Sequence, residues 1–270
     1  MTRRSRQQDS DEARKLSPTA PRESARSGAA RKGPDGHRAN RLLAALQADD
    51  FQALEPFLEF ERFSAGTVLY EPGNAIAYNY FPHDCMISLV AVLRDGGSAE
   101  VATFGREGVV GFASSLVSHE AFGRYVIQVP GTASRLPVER LRRAAEASPS
   151  LQQLLRSYIE ALLAQTFQSV ACNAVHDVEA RCCRWILSTQ DRVGQDDLAL
   201  THEFLAEMLG VQRSTVSIAL RALQTSSLIA QHRGMITVLN RSGLQASACE
   251  CYGRIRRSFE RLLPQTNERS

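Results

Sequence analysis

The sequence predicts an α+β chain, and three observations carry that reading. From Phe60 to Leu136, short runs rich in β-branched and aromatic residues are punctuated by Gly66, Pro72-Gly73, Gly96-Gly97, Gly105 and Pro130-Gly131. Many short strands at such close spacing make a compact barrel or sandwich. After Ser148-Pro149 no glycine or proline interrupts the chain until Gly194, which leaves room for long helices. The stretch FLAEMLGVQRSTVSIALRAL, residues 204–223, sets one glycine between two helical patterns, the second with a polar face.

Residues 1–39 are rich in Ser, Pro, Gly, Ala and Arg and carry ten basic against five acidic side chains. With so few large apolar residues they are predicted to be a disordered basic tail. The strand-rich domain is placed at 40–147. It opens on a helical pattern of Leu42, Leu43, Leu46, Phe51 and Leu54 and closes on the helix VERLRRAAEA. Ser148 reads as an N-cap with Pro149 in the first helical position, which starts a helix over 148–175. Its apolar stripe of Leu151, Leu155, Tyr158 and Leu162 packs either on its own barrel or against a second copy. A second copy is the expectation, with these four residues as the dimer seam. HDVEARCCRWILSTQDRVG begins a further helix, and residues 176–262 are read as the helix-turn-helix unit, with 263–270 as a C-terminal tail.

Two helices joined by a tight turn need a corner without steric obstruction. Gly210 supplies it, and Ala206, four residues earlier, lets the helices approach. Leu205, Leu209, Val211, Val216, Ala219, Leu220 and Leu223 provide the buried faces. Gln212, Arg213, Ser214, Thr215 and Ser217 are left facing outward from the start of the second helix, with Arg221 one turn further on. Side chains so placed reach base edges and phosphates when a helix N-terminus enters a major groove. Arg213 carries most information, because a guanidinium matches the O6/N7 edge of guanine. SSLIAQHRGMITVLN then gives two strands about an Arg233-Gly234 turn, a wing whose tip residues His232 and Arg233 can touch phosphate.

The order of barrel-like segment, long helix and winged helix-turn-helix resembles the Crp/Fnr family of bacterial transcription regulators. LTHEFLAEMLGVQRSTVSIALRALQTSSLI is similar to that family's DNA-reading motif, and RGMITVLNRSGLQASACECY to its wing and the segment after it. The likeness spans roughly residues 50–262. It implies a β-barrel or jelly-roll sensor, a dimerisation helix and a DNA-binding domain that reads an inverted repeat. The implied partners are double-stranded DNA, a second copy of the chain and RNA polymerase, with no membrane. Arg213 aligns with the family's common guanine-reading arginine. Ser214 stands where many members carry glutamate, and Ile218 where some carry a second arginine, so the usual target sequence does not carry over.

Cyclic-nucleotide-binding members place a carboxylate at one turn of the barrel and an arginine further on. Here Gly111-Phe112 stands near the first position and Phe122-Gly123-Arg124-Tyr125 near the second. Glu107 and Arg124 lie close by but outside the expected context, and both are read as solvated. GREGVVG lacks the Gly-Lys-[Ser/Thr] ending of a phosphate loop. An iron–sulfur sensor needs about four thiolates, and the N-terminal segment offers none. Cys182-Cys183 and Cys249/Cys251 share no helix face, so the six cysteines are read as buried structural residues. Six dispersed histidines show no metal-ligand spacing, and His202 is read as facing solvent. No metal or cofactor is assigned.

Bulk properties bound the rest. No apolar run reaches the roughly 18 residues of a membrane span, no secretory signal opens the chain, and no C-x-x-C pair occurs, so the expected place is the cytoplasm. No nucleophile–base pair or carboxylate pair is seen, so no catalytic residue is assigned and an enzyme is not expected. Net charge is +3, with residues 198–270 carrying nine basic and five acidic side chains against thirteen and nineteen in residues 40–197. A basic end on an acidic body fits a polyanion at the C-terminal end. A reading from another class is a small-molecule-binding regulatory subunit that acts through protein contacts, its helix-turn-helix a relic.

Overall fold

The computed structural model describes residues 35–94 and 97–263. Most of the expected basic tail lies outside the described residues, but its last five positions do not fit that reading. Gly36–Ala39 form a single 3-10 turn. The His37 ring is buried, stacked on Phe60 at 4.1 Å, with Nδ1 2.7 Å from Ser134 Oγ. One histidine adds too little apolar character to mark a segment as ordered. Asn40 then caps α1 (Arg41–Ala44), accepting from the Leu43 amide and donating to the carbonyls of Pro82 and Gly108. A second short helix, α2 (Ala48–Leu54), follows.

Among the described residues seven strands build the first domain: β1 (Glu59–Phe63), β2 (Val68–Tyr70), β3 (Tyr78–Pro82), β4 (Met86–Val92), β5 (Ser98–Phe104), β6 (Arg124–Val129) and β7 (Gly131–Pro137). They form two antiparallel sheets, ordered β1-β7-β3 and β2-β6-β4-β5. The arrangement is jelly-roll-like, not a closed barrel. Aromatic and aliphatic side chains such as Phe63, Tyr80, Ile87, Phe104, Tyr125 and Ile127 fill the space between the sheets.

After α3 (Val138–Ala147), α4 runs from Pro149 to Val175, its first turn capped by Ser148 Oγ accepting from the Leu151 amide. The seam expected on this helix is corrected here. Leu151, Leu155 and Tyr158 are buried within the chain, packed with Leu42, Phe112 and Leu141 of the first domain and Phe259 of the final helix. Tyr158 also donates to the Val109 carbonyl at 2.9 Å, and Leu162 packs against the strand core. The first three are not free to meet a second copy, and Leu162 is half-buried. The exposed large apolar side chains of α4 are instead Leu163, Phe167, Val170 and Val175, at 49%, 69%, 63% and 73% exposure. A helix with apolar residues on two sides has two candidate stripes, and spacing alone does not say which one its own domain covers.

The C-terminal unit contains α5 (Val178–Val193), β8 (Asp197–Leu198), α6 (His202–Leu209), α7 (Arg213–Thr225), β9 (Ile229–His232), β10 (Met235–Val238), α8 (Arg241–Ser247) and α9 (Cys251–Leu262). Its small sheet is ordered β8-β10-β9. The core of this unit runs on into the first domain, with Met86, Val90 and Val129 joining Trp185, Leu205 and Met208. Polar contacts lie across the same boundary. Trp185 Nε1 donates to Glu100 at 3.1 Å, and Arg192 pairs with Glu107 at 2.8 Å while also donating to Gln165. Gly105 admits this arrangement: a Cβ there would lie 2.5 Å from the Arg192 Cγ. Gly105 therefore serves close packing between domains, while Gly108 makes room for Tyr158 of α4 and Gly111 takes a left-handed backbone at φ +87°. Among the described residues no helix is long and apolar enough to cross a membrane.

Candidate nucleic-acid interface

Local rules build the helix-turn-helix. Thr201 Oγ1 caps α6 by accepting from the Phe204 amide, and Gly210 ends it at φ +63°, a left-handed corner that glycine adopts freely. The Val211 amide donates back to the Ala206 carbonyl, and Gln212 is the N-cap residue of α7. Val216, Ala219, Leu220 and Leu223 are buried against α5 and α6. That leaves Gln212, Arg213, Ser214 and Arg221 exposed and Thr215 half-buried.

The structure brings Arg213 and the wing to one cleft. An open groove of about 350 Å³ is bordered by Thr201, Glu203, Arg213, His232 and Arg233. Arg233 at φ +43° and Gly234 at φ +80° make the wing turn, with His232 paired to Met235 across it. Both wing-tip side chains are exposed. Arg213 is held by Glu203 of α6 at 2.7 Å, a contact between two well-exposed side chains. Such a pair contributes about 0–1 kcal/mol, so it presets the arginine without locking it.

Two expectations at this surface need correction. Ser217 does not project freely: its hydroxyl donates to the Arg213 carbonyl and lies 2.8 Å from His202 Nδ1. A serine inside a helix satisfies itself on the preceding turn when that carbonyl is in reach. His202 is not a solvent-facing residue either. Its Nε2 lies 2.7 Å from Gln231 Oε1, so the half-buried ring ties α6, α7 and β9 together. The structure adds a residue absent from the expected set. Ile218, 71% exposed, is the large apolar side chain on the outer face of α7. An exposed isoleucine on an otherwise polar helix face was the available signal.

Residues 180–247 match the family model described as a Crp-like helix-turn-helix domain. The C-terminal unit is thus a Crp-like helix-turn-helix domain. The chain is 27% identical over 192 residues to the global nitrogen regulator of Synechococcus elongatus, covering 68% of this chain and 86% of that protein. The global nitrogen regulator of Nostoc sp. is 26% identical over 187 residues, covering 66% and 84%. Among solved structures, FixK2 from Bradyrhizobium japonicum superposes with a TM-score of 0.61 at 17% identity, over 71% of this chain and 98% of that one. A CRP-family transcriptional regulator of Thermus thermophilus gives 0.58 at 16%, over 70% and 96%. These two show the shared fold. With a Crp-like helix-turn-helix at its C-terminal end, the chain is a DNA-binding transcription regulator.

In the first domain, the acid and the arginine nearest the expected cyclic-nucleotide contacts are already engaged. Glu107 sits in its ion pair with Arg192, and Arg124 pairs with Glu71 at 3.0 Å. Glu107 is therefore not the solvated side chain the sequence leads one to expect, whereas Arg124 remains partly exposed to solvent. Phe112 is buried against the α4 side of the domain. A cavity of about 230 Å³ lies between the β4-β5 sheet and α4, lined by Leu89, Val101, Phe104, Tyr125 and Leu162.

All six cysteines are buried, as the sequence leads one to expect. Cys172, His176, Cys249 and Cys251 converge where α4 ends and α9 begins. The two pairs stand far apart in sequence, and only the return of α9 along α4 brings them together.

Proposed function

We propose that two copies of the chain bind an inverted-repeat DNA site, each placing the N-terminal end of α7 in a major groove. The observation that carries this is the open cleft in which Arg213 and the wing tip lie side by side. Arg213 is assigned the guanine edge, Gln212, Ser214 and Thr215 neighbouring bases or phosphates, and Arg221, His232 and Arg233 the backbone. Ile218 is assigned an apolar contact with a thymine methyl. The match to a Crp-like helix-turn-helix weighs against a regulatory subunit acting without DNA.

The dimer seam is assigned to Leu163, Phe167 and Val170, with the exposed Ala174 continuing their three- and four-residue steps. Half-sites then fall about one helical turn apart. A cytoplasmic location and contact with RNA polymerase belong to the same reading. The relatives' name, global nitrogen regulator, makes genes of nitrogen metabolism the first targets to examine. Binding to DNA selected from a random pool should weaken steeply with salt, since each neutralised phosphate adds about −0.9 to the logarithmic slope. A flat salt dependence, or selection that recovers no inverted repeat, rejects the proposal.

A further inference from the structure

We propose that Cys172, His176, Cys249 and Cys251 bind one zinc ion through three thiolates and the histidine Nδ1. The four ligand atoms all lie within 4.8 Å of one another. Cys172 Sγ is 3.5 Å from Cys249 Sγ, and Cys251 Sγ is 3.4 Å from His176 Nδ1. A tetrahedral zinc with Zn–S bonds of about 2.3 Å holds its ligands about 3.8 Å apart along each edge. The spacing therefore fits a single ion. An iron–sulfur cluster sets its thiolates wider, because several irons and sulfides stand between them.

The surroundings match a metal better than four unrelated side chains. All three cysteines are buried. His176 turns Nδ1 toward the sulfurs and Nε2 toward Glu250, whose carboxylate lies 3.1 Å away. A ligating histidine commonly donates its other ring nitrogen to a carboxylate, which fixes its tautomer and orientation. Gln168 Nε2 donates to Cys251 Sγ at 3.0 Å. A disulfide between Cys172 and Cys249 would explain neither His176 with its carboxylate nor the third thiol.

Charge fits as well. Binding releases three thiol protons to solvent, and three thiolates on a divalent ion carry a net charge of −1. Arg181 and Arg184 are both buried, each with an Nε that lacks a hydrogen-bond partner. Both guanidiniums lie close enough to the cysteines to interact electrostatically. Soft thiolates select zinc over magnesium or calcium. The ion would fasten the end of α4 to the start of α9. Arg181 extends from there, donating to Asn173 on α4 and to the Leu209 carbonyl beside the Gly210 corner.

The test is elemental analysis of the full chain, purified without air and dialysed against a weak chelator. One zinc per chain is expected, released when the thiols are blocked. Cobalt substituted for zinc should show the intense visible bands of a tetrahedral thiolate site. Cys249→Ser and His176→Ala should lose the metal, whereas Cys183→Ala should keep it. Glu250→Gln, which removes no ligand, should weaken zinc affinity about 10- to 100-fold in chelator competition. Three results overturn the proposal: a reduced, folded chain without metal, iron with acid-labile sulfide, or a Cys172–Cys249 disulfide in protein kept from air. Zinc retained by both ligand variants also overturns it.

Discussion

Arg213 and Glu100 are each governed by what stands beside them. The exposed Arg213 side chain pairs with Glu203, so its removal leaves the fold intact and acts on recognition. Arg213→Ala is expected to weaken specific DNA binding by about 1–3 kcal/mol and relax preference at one base pair per half-site. Footprinting on selected sites with unchanged affinity and preference would refute this. Glu100 is half-buried at the domain boundary, and desolvation of its carboxyl holds its pKa above the ordinary value of 4.5, against the lowering effect of Ser88, Arg184, Trp185 and Arg192. The folded state then favours the protonated carboxyl. Its contribution is full below pH about 4.5 and fades as pH climbs through the raised value. Glu100→Gln, isosteric and uncharged, should stabilise the protein near neutrality and give no advantage below pH about 4.5. Thermal unfolding of both proteins across that range decides it, a pH-independent difference being the negative result.

Among the elements, α4 has two apolar stripes with different duties. The inner stripe, Leu151, Leu155 and Tyr158, belongs to the chain's own core, so Leu155→Ala should cost about 2–5 kcal/mol of stability. The outer stripe is exposed in the single chain, where substitutions usually change stability by less than about 0.5 kcal/mol. Phe167→Glu with Val170→Glu should therefore yield a folded monomer. Sedimentation combined with thermal melting separates the cases: an intact dimer in that variant removes the seam from this face. The same helix ends on Cys172 and His176, so it meets the proposed zinc site as well as the proposed seam.

For the whole molecule, the shared core and the Glu107–Arg192 pair join the first domain to the C-terminal unit. The cavity between the β4-β5 sheet and α4 is apolar, and no free cation borders it among the described residues. A phosphate entering it would lose hydration without a charged partner, at a cost of several kcal/mol. That is enough to erase micromolar affinity. Calorimetric titration with cyclic AMP and cyclic GMP is expected to show no binding to either. Micromolar binding abolished by Arg124→Ala would mean that this arginine leaves Glu71 for the phosphate.

The sequence by itself determined the parts ruled by local physics. Gly210 set the corner because few other residues adopt its backbone angle freely. Ser148 and Pro149 set the start of α4, and Arg233-Gly234 the wing turn. Alternation and punctuation told strands from helices, and the helix-turn-helix followed from order and spacing within about twenty residues. Tertiary structure decided whatever depends on residues distant in sequence. It chose which stripe of α4 is covered, because that rests on where the first domain and α9 pack. It withdrew Ser217 and His202 into a hydrogen-bonded joint and turned Glu107 from a residue read as solvated into a partner for Arg192. It also gathered Cys172 and His176 with Cys249 and Cys251. Neither pair alone has the ligands for a metal, and no local pattern records that α9 returns to complete the set.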